Sequence, residues 1–138
     1  FPCRVGRLDP DTGKELWGHY YVAPEYLEYV YEAAWLQGLG TRVLENSEIV
    51  VALWAVVDKR PADGDIESGL AHLEVIAYDW EGNILGLCRL PEPESPLSTV
   101  ISDARLWNTA SDRIYSTQPG TFVVLTRDHA YEFNIKAP

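Results

Sequence analysis

Ile49-Val50-Val51-Ala52-Leu53-Trp54-Ala55-Val56-Val57 is the strongest apolar run in the chain, and its reading decides the fold. Four Val and one Ile carry branched β-carbons, which lose rotamer freedom in a helix and fit a pleated surface well. A buried helix has a compatible length. The branched residues turn the reading to a central strand covered on both faces, expected over 48–58.

The flanking sequence continues in the same sense. Leu70 to Tyr78 alternates, with Leu70, His72, Glu74, Ile76 and Tyr78 on one face and Ala71, Leu73, Val75 and Ala77 on the other. Asp79-Trp80-Glu81-Gly82-Asn83 is a hairpin signal, and Ile84 to Leu90 is its return strand. A first hairpin is expected from Cys3–Leu8 and Lys14–Val22 around Asp9-Pro10-Asp11-Thr12-Gly13, where Pro presets φ and Gly accepts a positive one. Thr41 to Glu45 reads as a short strand. Arg113–Thr117, Thr121–Thr126 and Tyr131–Ile135 read as closing strands, with turns at Pro119-Gly120 and Asp128-His129. Lys59 to Ser68 is a polar loop, Pro91 to Pro96 a polyproline-like strap, and Leu97 to Leu106 fits either regular state.

One helix is expected over 24–37. Pro24 suits a first turn, Glu25 and Glu28 face the positive end of the dipole, and Gly38 and Gly40 end it. Leu27, Val30, Tyr31 and Ala34 form a core stripe opposite a strip of Glu25, Glu28 and Glu32. Tyr26, Tyr29, Ala33 and Leu36 widen the apolar arc to about 220°, against the roughly 100° a surface helix requires. The surplus residues Tyr26, Tyr29, Leu36 and Trp35 predict burial against a second surface, either the strap or a partner.

About eight short strands without helices between them predict a mainly β, α+β fold: one antiparallel barrel or sandwich, as a single domain over 1–138. Eleven Lys and Arg against 21 Asp and Glu give a net charge of −10, and the basic residues are scattered. Nucleic acid and anionic membrane are therefore not expected partners, since phosphate binding needs clustered cations. No apolar run approaches the ~18 residues of a membrane span, and no signal-type start is present. The sequence starts at Phe1 and not Met, which leaves open a processed or partial chain. Cys3 and Cys88 sit in no C-x-x-C or Cys/His cluster, so two reduced, packed thiols are expected, which leans weakly to an intracellular setting.

Candidate chemistry is thin. His72 and Glu74 share a strand face, but two ligands are too few for a metal, and a solvent-facing pair is the expectation. Asp63, Asp65 and Glu67 lack the spacing of a calcium loop and read as a solvated turn. Asp128-His129 has no Ser in a G-x-S-x-G elbow to serve, and neither Cys has a nucleophile's setting. Catalytic, cofactor-binding and metal residues are assigned to none, no cofactor is expected, and enzymatic activity is not expected. Trp80 and Trp107 join Tyr26, Tyr29, Trp35 and Leu36 as interface candidates, because Trp is enriched at binding hot spots.

The tract Ile114-Tyr115-Ser116-Thr117-Gln118-Pro119-Gly120-Thr121-Phe122, a strand and a G-T-F turn into another strand, resembles small head-decoration proteins of tailed bacteriophages. The resemblance covers that tract alone and transfers no site residue. It implies a β-rich trimer that clamps capsid subunits without catalysis. The expected function is a structural or assembly protein that associates with itself or a larger protein assembly through the aromatic helix and neighbouring strands. The alternatives are an acidic inhibitor or immunity-type module that covers a basic site, marked by one contiguous acidic patch, and a ligand-binding or enzymatic barrel, marked by a cavity lined by His72 and Glu74.

Overall fold

The computed structural model describes residues 4–19, 21, 33–45, 47–106 and 113–135, with 104–106 as backbone. Its strands form three antiparallel sheets. The central sheet runs β3 (Trp35–Val43), β4 (Val50–Val57), β5 (Leu70–Tyr78) and β6 (Ile84–Arg89) in that order, and the two-residue β7 (Ser95–Pro96) also pairs with β5. The hairpin β1 (Val5–Leu8) and β2 (Glu15–His19) is one flanking sheet, and β8 (Ile114–Gln118), β9 (Thr121–Leu125) and β10 (Ala130–Asn134) form the other. The helix α1 (Leu97–Leu106) follows β7 directly. Among the described residues no sheet closes into a barrel, so the architecture is open sheets facing one another.

The Ile49–Val57 run explains the layering. Every residue of β4 is buried, and successive side chains point to opposite faces of the strand. Val51, Leu53, Ala55 and Val57 join Leu73, Val75, Leu97, Ile114, Phe122 and Val124 in the core between the central sheet and the β8–β10 sheet. Val50, Ala52, Trp54 and Val56 join Ile76, Tyr78, Val5 and Tyr21 in a second core under the β1–β2 hairpin. A strand buried on two sides needs apolar residues at every position, and that is what the unbroken run supplies.

The hairpins lie where their turn residues predict. The β1–β2 hairpin docks on the β5–β6 turn: Arg7 Nη1 and Trp17 Nε1 both donate to the Trp80 carbonyl, at 3.0 and 2.9 Å, and His19 Nε2 lies 2.9 Å from the Gly82 carbonyl. The Asp79 carboxylate closes that turn by accepting from the Glu81 and Asn83 N–H groups. Slight burial works to raise its pKa, and these hydrogen bonds outweigh it and hold the group below the usual carboxylate range.

Two expectations are corrected. Most of the helix expected over 24–37 lies outside the described residues, but Trp35, Leu36 and Gln37 are strand, paired with Val57, Val56 and Ala55. The bonding edge of β4 overrides local helix propensity there, and Gly40, at φ 142°, sits at a register shift within β3 where a helix stop was expected. Leu97–Leu106, ambiguous in sequence, is the α-helix among the described residues, with Ile66–Ser68 a single 3-10 turn. No described helix is long and apolar enough to cross a membrane.

Candidate interaction surface and buried polar chain

The expected site residues do not gather at one place. Trp35 packs against the first core and Leu36 against the second, so both are half-buried strand residues instead of a helix surplus. Trp80 is also half-buried: its ring lies 4.5 Å beneath the Arg7 guanidinium while its carbonyl anchors the hairpin. Tyr26, Tyr29 and Trp107 lie outside the described residues.

His72 and Glu74 share a face as predicted, yet they are not solvent-facing. They are 2% and 1% exposed. Alternation gives the face of a strand but cannot reveal that a third layer covers it. The Tyr21 hydroxyl donates to the Glu74 carboxylate, the Tyr78 hydroxyl donates to the Tyr21 carbonyl, and the Tyr21 ring meets Trp54 edge-on at 5.3 Å. His72 Nε2 lies 3.5 Å from Glu74 Oε2 and its Nδ1 3.4 Å from Asp58 Oδ2, at the surface, where Arg89 Nη1 stands 3.5 Å from the same oxygen. Burial pushes the Tyr78 hydroxyl well above the usual phenol range. Tyr78, Tyr21 and Glu74 thus form a hydrogen-bonded chain through the second core, with His72 beside the Glu74 carboxylate. His72 borders a cavity of about 130 Å³ beneath the Pro91–Pro96 strap, but Glu74 does not line it. The two therefore do not converge on one reaction volume.

The strap itself is latched. The Thr126 hydroxyl donates to the Glu92 carboxylate, His129 Nδ1 lies 3.3 Å from Glu92 Oε1, and Leu97 N–H donates to the Gly69 carbonyl at 2.9 Å. Arg113 is buried near this latch. Desolvation lowers its pKa, opposed by the charges of Asp103 and Glu92. Asp128-His129 is thus a turn that holds the strap. Asp63 and Asp65 likewise accept from N–H groups two residues on, closing their own turn. No group of three or more metal-ligating side chains occurs among the described residues.

The surface that stands out is the edge of β6. Leu90 N–H donates to the Leu73 carbonyl at 2.9 Å, and this bond sets the phase of the ladder. Val75↔Cys88 and Ala77↔Gly86 follow as hydrogen-bonded pairs, while Leu87 and Arg89 turn their N–H and C=O away from β5. Among the described residues no strand pairs with that outer edge. Leu85, the residue that a register shift leaves without a partner on β5, is 43% exposed. Gly86 and Cys88 share a face with Ala77 and Val75, and that face opens on a groove of about 350 Å³ whose far wall is Phe122, Phe133 and Ile135. Phe122 and Phe133 stack at 5.1 Å. A β-carbon built on Gly86 meets nothing within 4 Å.

Cys88 is therefore exposed, which corrects the expectation of a packed thiol. Its strand lies at the rim where the β8–β10 sheet stops short of covering the central one. The sequence marks β6 as a strand but carries no sign that it is an edge. Edges belong to topology, and the only local hint is the uncharged tract Ile84-Leu85-Gly86-Leu87-Cys88. In comparisons with known proteins, no family model, curated protein or solved structure matches the chain.

Proposed function

We propose that this chain is a non-enzymatic assembly protein that associates with itself through the β6 edge and the apolar groove beside it. The observation that carries the reading is an exposed edge strand, uncharged from Ile84 to Cys88, next to a groove walled by Phe122, Phe133 and Ile135. Monomeric proteins blunt such edges with Lys, Pro or inward-pointing charge, because the free N–H and C=O groups template pairing with another chain. A register shift at Leu85 bends this edge but places an apolar side chain on it. A capsid-decoration role is one form of this reading.

The distribution of acid groups favours assembly over an inhibitor. Asp9, Asp63, Asp65 and Asp79 are used to close their own turns. Glu15, Asp58, Glu94 and Asp103 lie within ion-pair distance of Arg4, Arg89, Arg89 and Arg127. These eight carboxylates of the described residues are engaged in turns or stand beside cations, which supports interspersed charge over one acidic face.

Sedimentation velocity over a concentration series tests the reading. The native chain is expected to sediment as an oligomer, and Leu85→Lys, a gatekeeper charge on an exposed position, as a monomer with stability changed by no more than about 0.5 kcal/mol. A native monomer, or an unchanged oligomer in Leu85→Lys, counts against it.

A further inference from the structure

We infer that two copies pair their β6 strands antiparallel about a two-fold axis at Leu87, joining two central sheets into one; this rests on the assembly reading above. Leu87 presents both backbone groups outward, so the axis lets it donate to, and accept from, Leu87 of the second copy as a hydrogen-bonded pair. An isologous contact of this kind closes on itself and forms a dimer instead of a filament.

The same axis sets Gly86 opposite Cys88 of the second copy in the closely spaced type of pair, with Cα atoms about 4.5 Å apart. The open space at Gly86 receives that thiol, and the two apolar grooves meet across the axis. Charge agrees with the geometry. The antiparallel run brings Arg89, the one basic residue of β6, towards the end where the other copy's strand leaves its turn, which carries Asp79 and Glu81. Two other outer strands are poorer templates: β3 is half-buried over most of its length and ties Arg42 to the Ile114 carbonyl at 2.7 Å, while β10 carries Glu132 at its centre. An axis moved to Cys88 would set the two thiols face to face and leave the space at Gly86 unfilled.

Thiol cross-linking with oxidised glutathione, in the full chain with Cys3→Ser throughout, reads the axis. Gly86→Cys is expected to form a covalent dimer with the native Cys88 of the second copy, at least tenfold more than either Gly86→Cys/Cys88→Ser or the chain with Cys88 alone. Cα atoms two apart on one strand stand about 6.8 Å apart, at the limit of disulfide reach, so the intrachain bond does not compete. Efficient cross-linking with Cys88 alone would place the axis at Cys88, and cross-linking in Gly86→Cys/Cys88→Ser would place it at Gly86; either overturns the inference. Light scattering on the reduced proteins separates the two claims. A dimeric or trimeric mass without the expected cross-link overturns the Leu87 axis alone, whereas a monomeric mass overturns the axis and the assembly reading together. If Gly86→Cys fails to fold, Gly86→Val should be compared by mass with Leu87→Asp, whose charge at the axis is expected to give monomer; an oligomeric Leu87→Asp overturns the inference.

Discussion

Trp17 packs its indole where a side chain on Gly82 would stand: a β-carbon there falls 2.6 Å from Trp17 Cδ2, on a backbone at φ 88°. Gly82 thus serves twice, as the turn residue that accepts a positive φ and as the floor under the indole that ties the β1–β2 hairpin to the central sheet. Gly64, at φ 76° with nothing within 4 Å of its β-carbon position, carries only the first burden. Gly64→Ala is expected to cost about 1–2 kcal/mol from the backbone alone. Gly82→Ala should cost at least about 1 kcal/mol more and alter Trp fluorescence. Urea denaturation of the two variants checks this, and equal losses would mean that Trp17 moves aside freely.

Tyr21→Phe keeps the ring against Trp54 but removes the donor that serves the buried Glu74 carboxylate. The expected loss is about 1–3 kcal/mol, the cost of leaving a buried acceptor short of a partner. A loss under about 0.5 kcal/mol in chemical denaturation would show that the Tyr21–Glu74 bond contributes little to the second core.

Alkaline pH should weaken the fold through Tyr78. Burial raises its pKa in the folded state, so the folded chain holds a proton that the unfolded chain releases near its ordinary value of about 10. Its contribution is therefore complete below about pH 10 and is lost as pH rises through the higher folded value. Stability measured between about pH 9 and 11 should fall, and Tyr78→Phe should fall less steeply over the same range. Parallel slopes would assign the alkaline loss to other groups.

Much of the frame was legible because it rests on local chemistry. The branched run of β4 and the Asp and Gly turns at Asp9–Gly13 and Asp79–Asn83 specify strand and hairpin without help from the rest of the chain. The misreadings have physical causes. Trp35–Gln37 has helix-compatible residues but lies against β4, whose hydrogen-bonding edge decides its conformation. In α1 the β-branched Thr99, Val100 and Ile101 mask a helix that follows Pro96. The faces of His72 and Glu74 were legible and their burial was not, because the Tyr21 side chain that reaches Glu74 arrives from far away in sequence. The open edge of β6 was invisible for the same reason.

Light scattering on the native chain at low and high salt tests the central claim most directly. Each copy carries a net charge of −10, so salt screens repulsion between copies and does not weaken an apolar, backbone-paired contact. A mass of twice the 15.5 kDa chain at both salt concentrations is the predicted result. A single-chain mass of 15.5 kDa at both would contradict association through the β6 edge.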